Sequence, residues 1–93
     1  MLNIRFSNQF KKDYKRIKKQ GFTQAEEKEL SKIFKDLANN KPLDKKYYDH
    51  PLSGKFAGAR EFHFRPDLLI VYKVRDKEVE LLLLRMGSHS ELF

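Results

Sequence analysis

Two apolar runs, Leu68-Leu69-Ile70-Val71-Tyr72 and Leu81-Leu82-Leu83-Leu84, lie close together, with the polar turn Arg75-Asp76-Lys77 between them. A segment apolar at successive positions but too short for a buried helix reads as a strand covered on both faces. The pattern predicts a central strand over Leu68 to Val74, in a hairpin with a strand from Glu78 to Arg85. In that second strand Val79, Leu81, Leu83 and Arg85 fall on one side and Glu80, Leu82 and Leu84 on the other. Upstream, Phe62 and Phe64 alternate with Glu61, His63 and Arg65, so His63 faces away from the phenylalanines, and Pro66-Asp67 makes the turn. Such a sheet needs cover, and the N-terminal half must supply it.

Leu2, Ile4 and Phe6 alternate with polar residues, which predicts a short strand with one buried face. Ser7 offers an N-cap, and Phe10, Tyr14 and Ile17 recur at helical spacing. Lys11, Lys12, Lys15, Arg16, Lys18 and Lys19 fall outside that stripe and form a cationic back, and Gly21 suits a left-handed end. Thr23 and Glu26 have capping-box spacing, and Leu30, Ile33, Phe34 and Leu37 give a second helix to about Asn39. Asn40 to Ser53, with Pro42 and Pro51 and no periodicity, reads as a long connection. The order β-α-α-β-β-β predicts an α+β fold in which two N-terminal helices pack on a small, mainly antiparallel sheet, the basic helix outermost. With 93 residues, a second domain would leave each half too little core, so residues 1–93 are expected to form one.

Charge narrows the partners. The chain carries 20 Lys and Arg against 13 Asp and Glu, a net +7, and residues 1–20 alone hold seven basic residues and one acid. That local excess favours phosphate backbones or an acidic protein as partner over simple solubility. No cysteine is present, which excludes disulfide scaffolds, thiol nucleophiles and zinc fingers. No apolar run approaches the roughly 20 residues of a bilayer span, and the N-terminus lacks a secretory stretch, so a cytoplasmic protein without membrane contact is expected.

Three histidines, His50, His63 and His89, are left to carry chemistry, and none falls at a core position. Imidazole is part base and part acid near neutrality, as proton transfer requires. Each alone reads equally as a surface residue. Pro51 holds His50 in extended geometry; Asp67 lies across the turn from His63, to orient it or merely to cap the turn; His89 belongs to a tail that frays unless Leu92-Phe93 ties it down. His63 and Asp67 with a third ligand form no compact metal motif, so neither metal nor cofactor is expected.

Taken together, Asp49-His50-Pro51-Leu52-Ser53-Gly54, Arg60 to Tyr72 and Arg85-Met86-Gly87-Ser88-His89-Ser90-Glu91-Leu92-Phe93 resemble the YafQ branch of the RelE/ParE toxin superfamily. The resemblance implies a type II toxin, a ribosome-dependent endoribonuclease that cuts translated mRNA in the A site. It also implies an acidic, partly disordered antitoxin of the DinJ type. By position it makes His50, His63, Asp67 and His89 active-site residues, with Arg85 a basic residue of the cleft and Phe93 a terminal aromatic near the substrate; Arg60 is expected to join Arg85 in offsetting charge at the phosphate, with no cofactor. His89 is then the general acid and His50 or Asp67 the base, while His63 positions the phosphate. Lys11, Lys12, Lys15 and Lys19 are candidate contacts to ribosomal RNA. Two other readings compete: a ParE-like binder of a protein target such as gyrase, and a noncatalytic nucleic-acid-binding module.

Overall fold

A computed structural model describes all 93 residues. Five strands form one sheet in the order β1-β5-β4-β3-β2, with β1 (Asn3–Phe6), β2 (His50–Pro51), β3 (Arg60–Arg65), β4 (Leu68–Arg75) and β5 (Glu80–Gly87). Only β1 and β5 pair in parallel. Helices α1 (Asn8–Lys19) and α2 (Gln24–Ala38) connect the first two strands, and a short α3 (His89–Leu92) follows β5. The α+β architecture, the helix pair and the central β4 agree with the sequence reading.

Both long helices begin where their caps predict. The Ser7 hydroxyl accepts from the Phe10 amide and donates to the Leu84 carbonyl at 2.8 Å, which ties the start of α1 to β5. At α2 the Thr23 hydroxyl and Glu26 carboxylate close a reciprocal capping box. Phe10, Ile17, Leu30 and Phe34 from these helices meet Phe62, Ile70, Tyr72, Leu81, Leu83 and Met86 from the sheet in the main core. On the other face of β4, Leu69 and Val71 form a smaller core with Ala59 and Leu92, against which Leu52, Phe56 and Leu84 pack.

Several boundaries differ from the sequence reading, each for a tertiary reason. Phe6 does not complete a buried face of β1 but lies 42% exposed. The connection after Asn40 is not featureless: a 3-10 turn spans Lys45–Tyr47, and His50–Pro51 pairs with β3. β5 starts at Glu80 rather than Glu78, because a 3-10 turn over Asp76–Glu78 leaves Val79 left-handed, with φ 53°. The β4–β5 register shifts between Val71 and Tyr72, which pair with Arg85 and Leu83 respectively. That extra residue breaks the alternation, so Met86, not Arg85, continues the row of Leu81 and Leu83 in the core.

Asp13 is the largest departure from the α1 reading, since it lies fully buried beneath the cationic helix. Its carboxylate accepts from Arg85 Nε at 2.8 Å and Nη2 at 3.2 Å, from Arg16 and Gln9, and from the Met86 amide. Burial pushes its pKa up, but the hydrogen bonds from Arg85, Met86 and Gln9 outweigh that and hold it below the ordinary aspartate value. A carboxyl whose folded pKa is depressed contributes stability above its unfolded value, near 4, and loses that contribution as pH falls through the folded one. Asp13→Asn should therefore cost about 3 kcal/mol at pH 7 by leaving Arg85 uncompensated. The gap to the parent protein should narrow progressively below about pH 4, as urea unfolding across that range would read. An equal gap at every pH would show that charge is not what holds α1 to β5.

Candidate active site: a row of imidazoles

The histidines reach one place from three parts of the chain. His63 projects from β3, and pleat alternation sets it and Glu61 on the face opposite Phe62 and Phe64. His50 pairs in register with Glu61 across the β2–β3 ladder. His89 opens α3, which Ser88 and Glu91 cap reciprocally and which Leu92 anchors in the smaller core. That anchor keeps the tail from fraying.

The rings then adjoin one another, and Tyr48, its centroid 5.3 Å from that of His63 as well as beside His50, closes a triangle with those two imidazoles. Tyr48 to His50 is 4.8 Å, His50 to His63 is 5.7 Å, His63 to His89 is 5.8 Å and His89 to Phe93 is 6.3 Å. Around this row each imidazole has a defined neighbour. His50 Nδ1 lies 2.8 Å from the Tyr48 carbonyl, which can only accept, so Nδ1 carries hydrogen and Nε2 is the nitrogen that exchanges a proton. Nε2 faces Glu61 Oε2 at 3.5 Å. Asp67 Oδ1 accepts from the His89 amide at 3.3 Å and lies 3.7 Å from His89 Nδ1. Asp67 thus orients His89 rather than His63.

Glu61 was missed by sequence reasoning. It is only 3% exposed, and its Oε1 is buried without a hydrogen-bond partner. A carboxylate two residues before His63 on the same strand face was a usable signal; its register opposite His50 was not. Donor atoms of His50, Glu61 and His63 all lie within 4.8 Å of one another. Two imidazoles and a carboxylate suit a first-row transition ion, so these residues fit a metal that no sequence spacing announced.

The basic residues sort differently. Arg60, expected at the phosphate, donates from Nε to Asp49 at 3.2 Å, and the buried Tyr72 hydroxyl holds the same carboxylate at 2.8 Å. Burial opposes the Arg60 charge, but Asp49 more than compensates and raises its pKa. This cluster anchors the residue preceding His50. Arg85 is bound to Asp13, and its ladder partner Val71 separates it from Glu61. Lys11, Lys12, Lys15 and Lys19 stay exposed on α1 and contribute no side chain to the imidazole row. Phe93, 60% exposed, closes the row and meets Phe56 at 5.5 Å.

Comparison with known proteins follows this geometry. Residues 2–93 match the family model described as "Bacterial toxin of type II toxin-antitoxin system, YafQ". The chain is 36% identical over 91 residues to the mRNA interferase toxin YafQ of Escherichia coli strain K12, covering 98% of this chain and 95% of that one. Among solved structures it is similar to a metal-bound toxin from Helicobacter pylori, with TM-score 0.90, 47% identity and full coverage of both chains. It is also similar to a chain of the E. coli DinJ-YafQ complex, with TM-score 0.83 and 35% identity over 100% of this chain and 99% of that one.

The caps of α3 generate a test of how His89 is held. Ser88→Ala removes the hydroxyl that accepts from the Glu91 amide and should cost the segment about 1 kcal/mol. Amide hydrogen exchange at residues 89–93 should accelerate severalfold while β4 and β5 stay protected. Unchanged exchange there would assign the ordering of the tail to Leu92 alone.

Proposed function

Because this chain belongs to the YafQ family of toxins from bacterial type II toxin–antitoxin systems, we propose that its imidazole row is the acid–base site of an mRNA endoribonuclease. As an mRNA interferase it inhibits translation, and its partners are the ribosome, mRNA and a cognate antitoxin of the DinJ kind. Residues 1–93 act as one toxin domain. No helix is long and apolar enough to cross a membrane, and the proposed compartment is the cytoplasm, where translated mRNA is found. The observation that carries the reading is the spacing of His50, His63 and His89, with successive centroids 5.7 and 5.8 Å apart. That span suits one phosphodiester with a proton acceptor and a proton donor at its two ends.

RNA supplies its own nucleophile. His50 Nε2, beside Glu61, takes the proton of the 2′-hydroxyl, and the oxygen attacks the adjacent phosphorus. His89, oriented by Asp67, protonates the departing 5′ oxygen, leaving a 2′,3′-cyclic phosphate and a 5′-hydroxyl. His63, between them, holds a nonbridging oxygen. Each proton transfer is worth about 10²–10⁴ in rate, and alignment of the strand contributes on the order of 7–11 kcal/mol more. An open sheet face constrains a flexible strand weakly, so the ribosome is assigned that alignment. Arg60 and Arg85 act by holding Asp49 and Asp13 rather than the phosphate.

His50, Glu61 and His63 are the residues that would hold a first-row transition ion, which would supply Lewis-acid polarisation there, and the similar H. pylori toxin is metal-bound. A gyrase-type binder or a noncatalytic module has no use for three adjoining imidazoles. His89→Ala should lower cleavage of ribosome-bound mRNA by about 10²–10⁴, with thermal unfolding and antitoxin affinity near those of the parent. Full cleavage by that variant would overturn the assignment. Reversing the charges of Lys11, Lys12, Lys15 and Lys19 should weaken ribosome association and flatten its salt dependence, without loss of stability. Binding that is unchanged would leave the cationic face a solubilising role alone.

A further inference from the structure

The four tyrosines divide into two kinds. Tyr14, Tyr47 and Tyr72 each donate their hydroxyl to a carboxylate, Glu27, Glu29 and Asp49 respectively, at 2.7–2.8 Å. They are structural struts. Tyr48 makes no such bond, and it is 65% exposed although it stands against two imidazoles.

Its backbone is held in the left-handed region, φ 49° and ψ 52°, which a Cβ disfavours. The Tyr48 amide donates to the Lys45 carbonyl at 3.0 Å, and the Tyr48 carbonyl accepts from His50 Nδ1 at 2.8 Å. The residue is therefore anchored through its main chain, and its ring is left presented. Tyr48, His63 and Lys46 border a cavity of about 380 Å³, within the size range of small-ligand sites. At the far end of the imidazole row a second exposed ring, Phe93, lies 6.3 Å from His89.

We propose that Tyr48 is a stacking platform for a nucleobase of the mRNA, on the side of the scissile phosphate opposite Phe93. This deepens the endoribonuclease reading and rests on it. A phosphodiester placed over the imidazoles carries one base toward His89, where Phe93 stands exposed, and the other toward the His50–His63 pair, which the exposed Tyr48 ring flanks at 4.8 and 5.3 Å. Aromatic stacking on a base is tolerant of sequence, and one such contact changes affinity roughly 5- to 100-fold. Lys46 and Arg65 both line the same cavity, and Lys46, the one without a carboxylate partner, is available to the next phosphate along the strand.

The test compares Tyr48→Ala, Tyr48→Phe and Tyr48→Trp with the parent, in single-turnover cleavage of a defined mRNA on ribosomes as toxin concentration is raised. All three keep a Cβ at the left-handed position and the main-chain bond to His50, so thermal unfolding should be alike. Tyr48→Ala should raise the half-saturating concentration about tenfold and redistribute the cut sites, with the saturating rate within about threefold. Tyr48→Phe and Tyr48→Trp should stay near the parent in all three readouts. With an active parent, three results overturn the proposal: an alanine variant indistinguishable from the parent, a phenylalanine variant as impaired as alanine, or a loss confined to the saturating rate. A parent protein that cuts no mRNA on ribosomes overturns the endoribonuclease reading itself, and the assignment of Tyr48 with it.

Discussion

Strand β4 has to be buried on both faces, and the rest of the molecule answers that demand. Ile70 and Tyr72 face the helices, while Leu69 and Val71 face the other way, all at 2% exposure or less. Burying a side chain of this size is worth about 1.5–3 kcal/mol. The helices cover only one side, so the second must be closed by Leu52, Phe56 and Ala59 from the β2–β3 connection and by Leu92 from α3. A four-residue helix has no stability of its own. Burial of Leu92 draws it in, and His89 comes with it. The smaller core thus gathers chemistry from distant parts of the chain as a consequence of hydrophobic cover.

Charge organises what burial brings together. Three carboxylate–arginine clusters tie the elements together: Asp13 with Arg85 and Arg16, Asp49 with Arg60 and the Tyr72 hydroxyl, and Glu29 with Arg65 and the Tyr47 hydroxyl. Each joins elements far apart in sequence, and each neutralises cations that would otherwise add to the field. Lys11, Lys12, Lys15 and Lys19 remain unpaired on the exposed face of α1, on a different element from the imidazoles. A basic surface distinct from the imidazole row suits the proposed division between gripping a large RNA assembly and acting on one phosphodiester within it.

Local chemistry made much of this readable. Period-two alternation put His63 opposite Phe62 and Phe64, and the consecutive apolar residues of β4 announced a strand with two covered faces. Ser7, Thr23 and Glu26 marked the helix starts because capping is decided within four residues. Motif resemblance brought His50, Asp67 and His89 into one hypothesis, although nothing in their spacing says that they meet. Asp13 was hidden for a different reason: on a helical wheel it is one more polar residue, and only Arg85, 72 positions away, makes its burial tolerable.

The amino-acid order by itself determined which segments are helix or strand, which face of each is apolar, and where the excess charge lies, since these depend on neighbours within a turn or two. Strand register and the bulge opposite Val71 were decided only in three dimensions. The first sets Glu61 beside His50, and the second moves Met86 into the core. Both are choices among pairings that cost nearly the same locally. Packing of the complete sheet against its two covers selects one of them, and the placing of the imidazoles and of Glu61 is inherited from that selection.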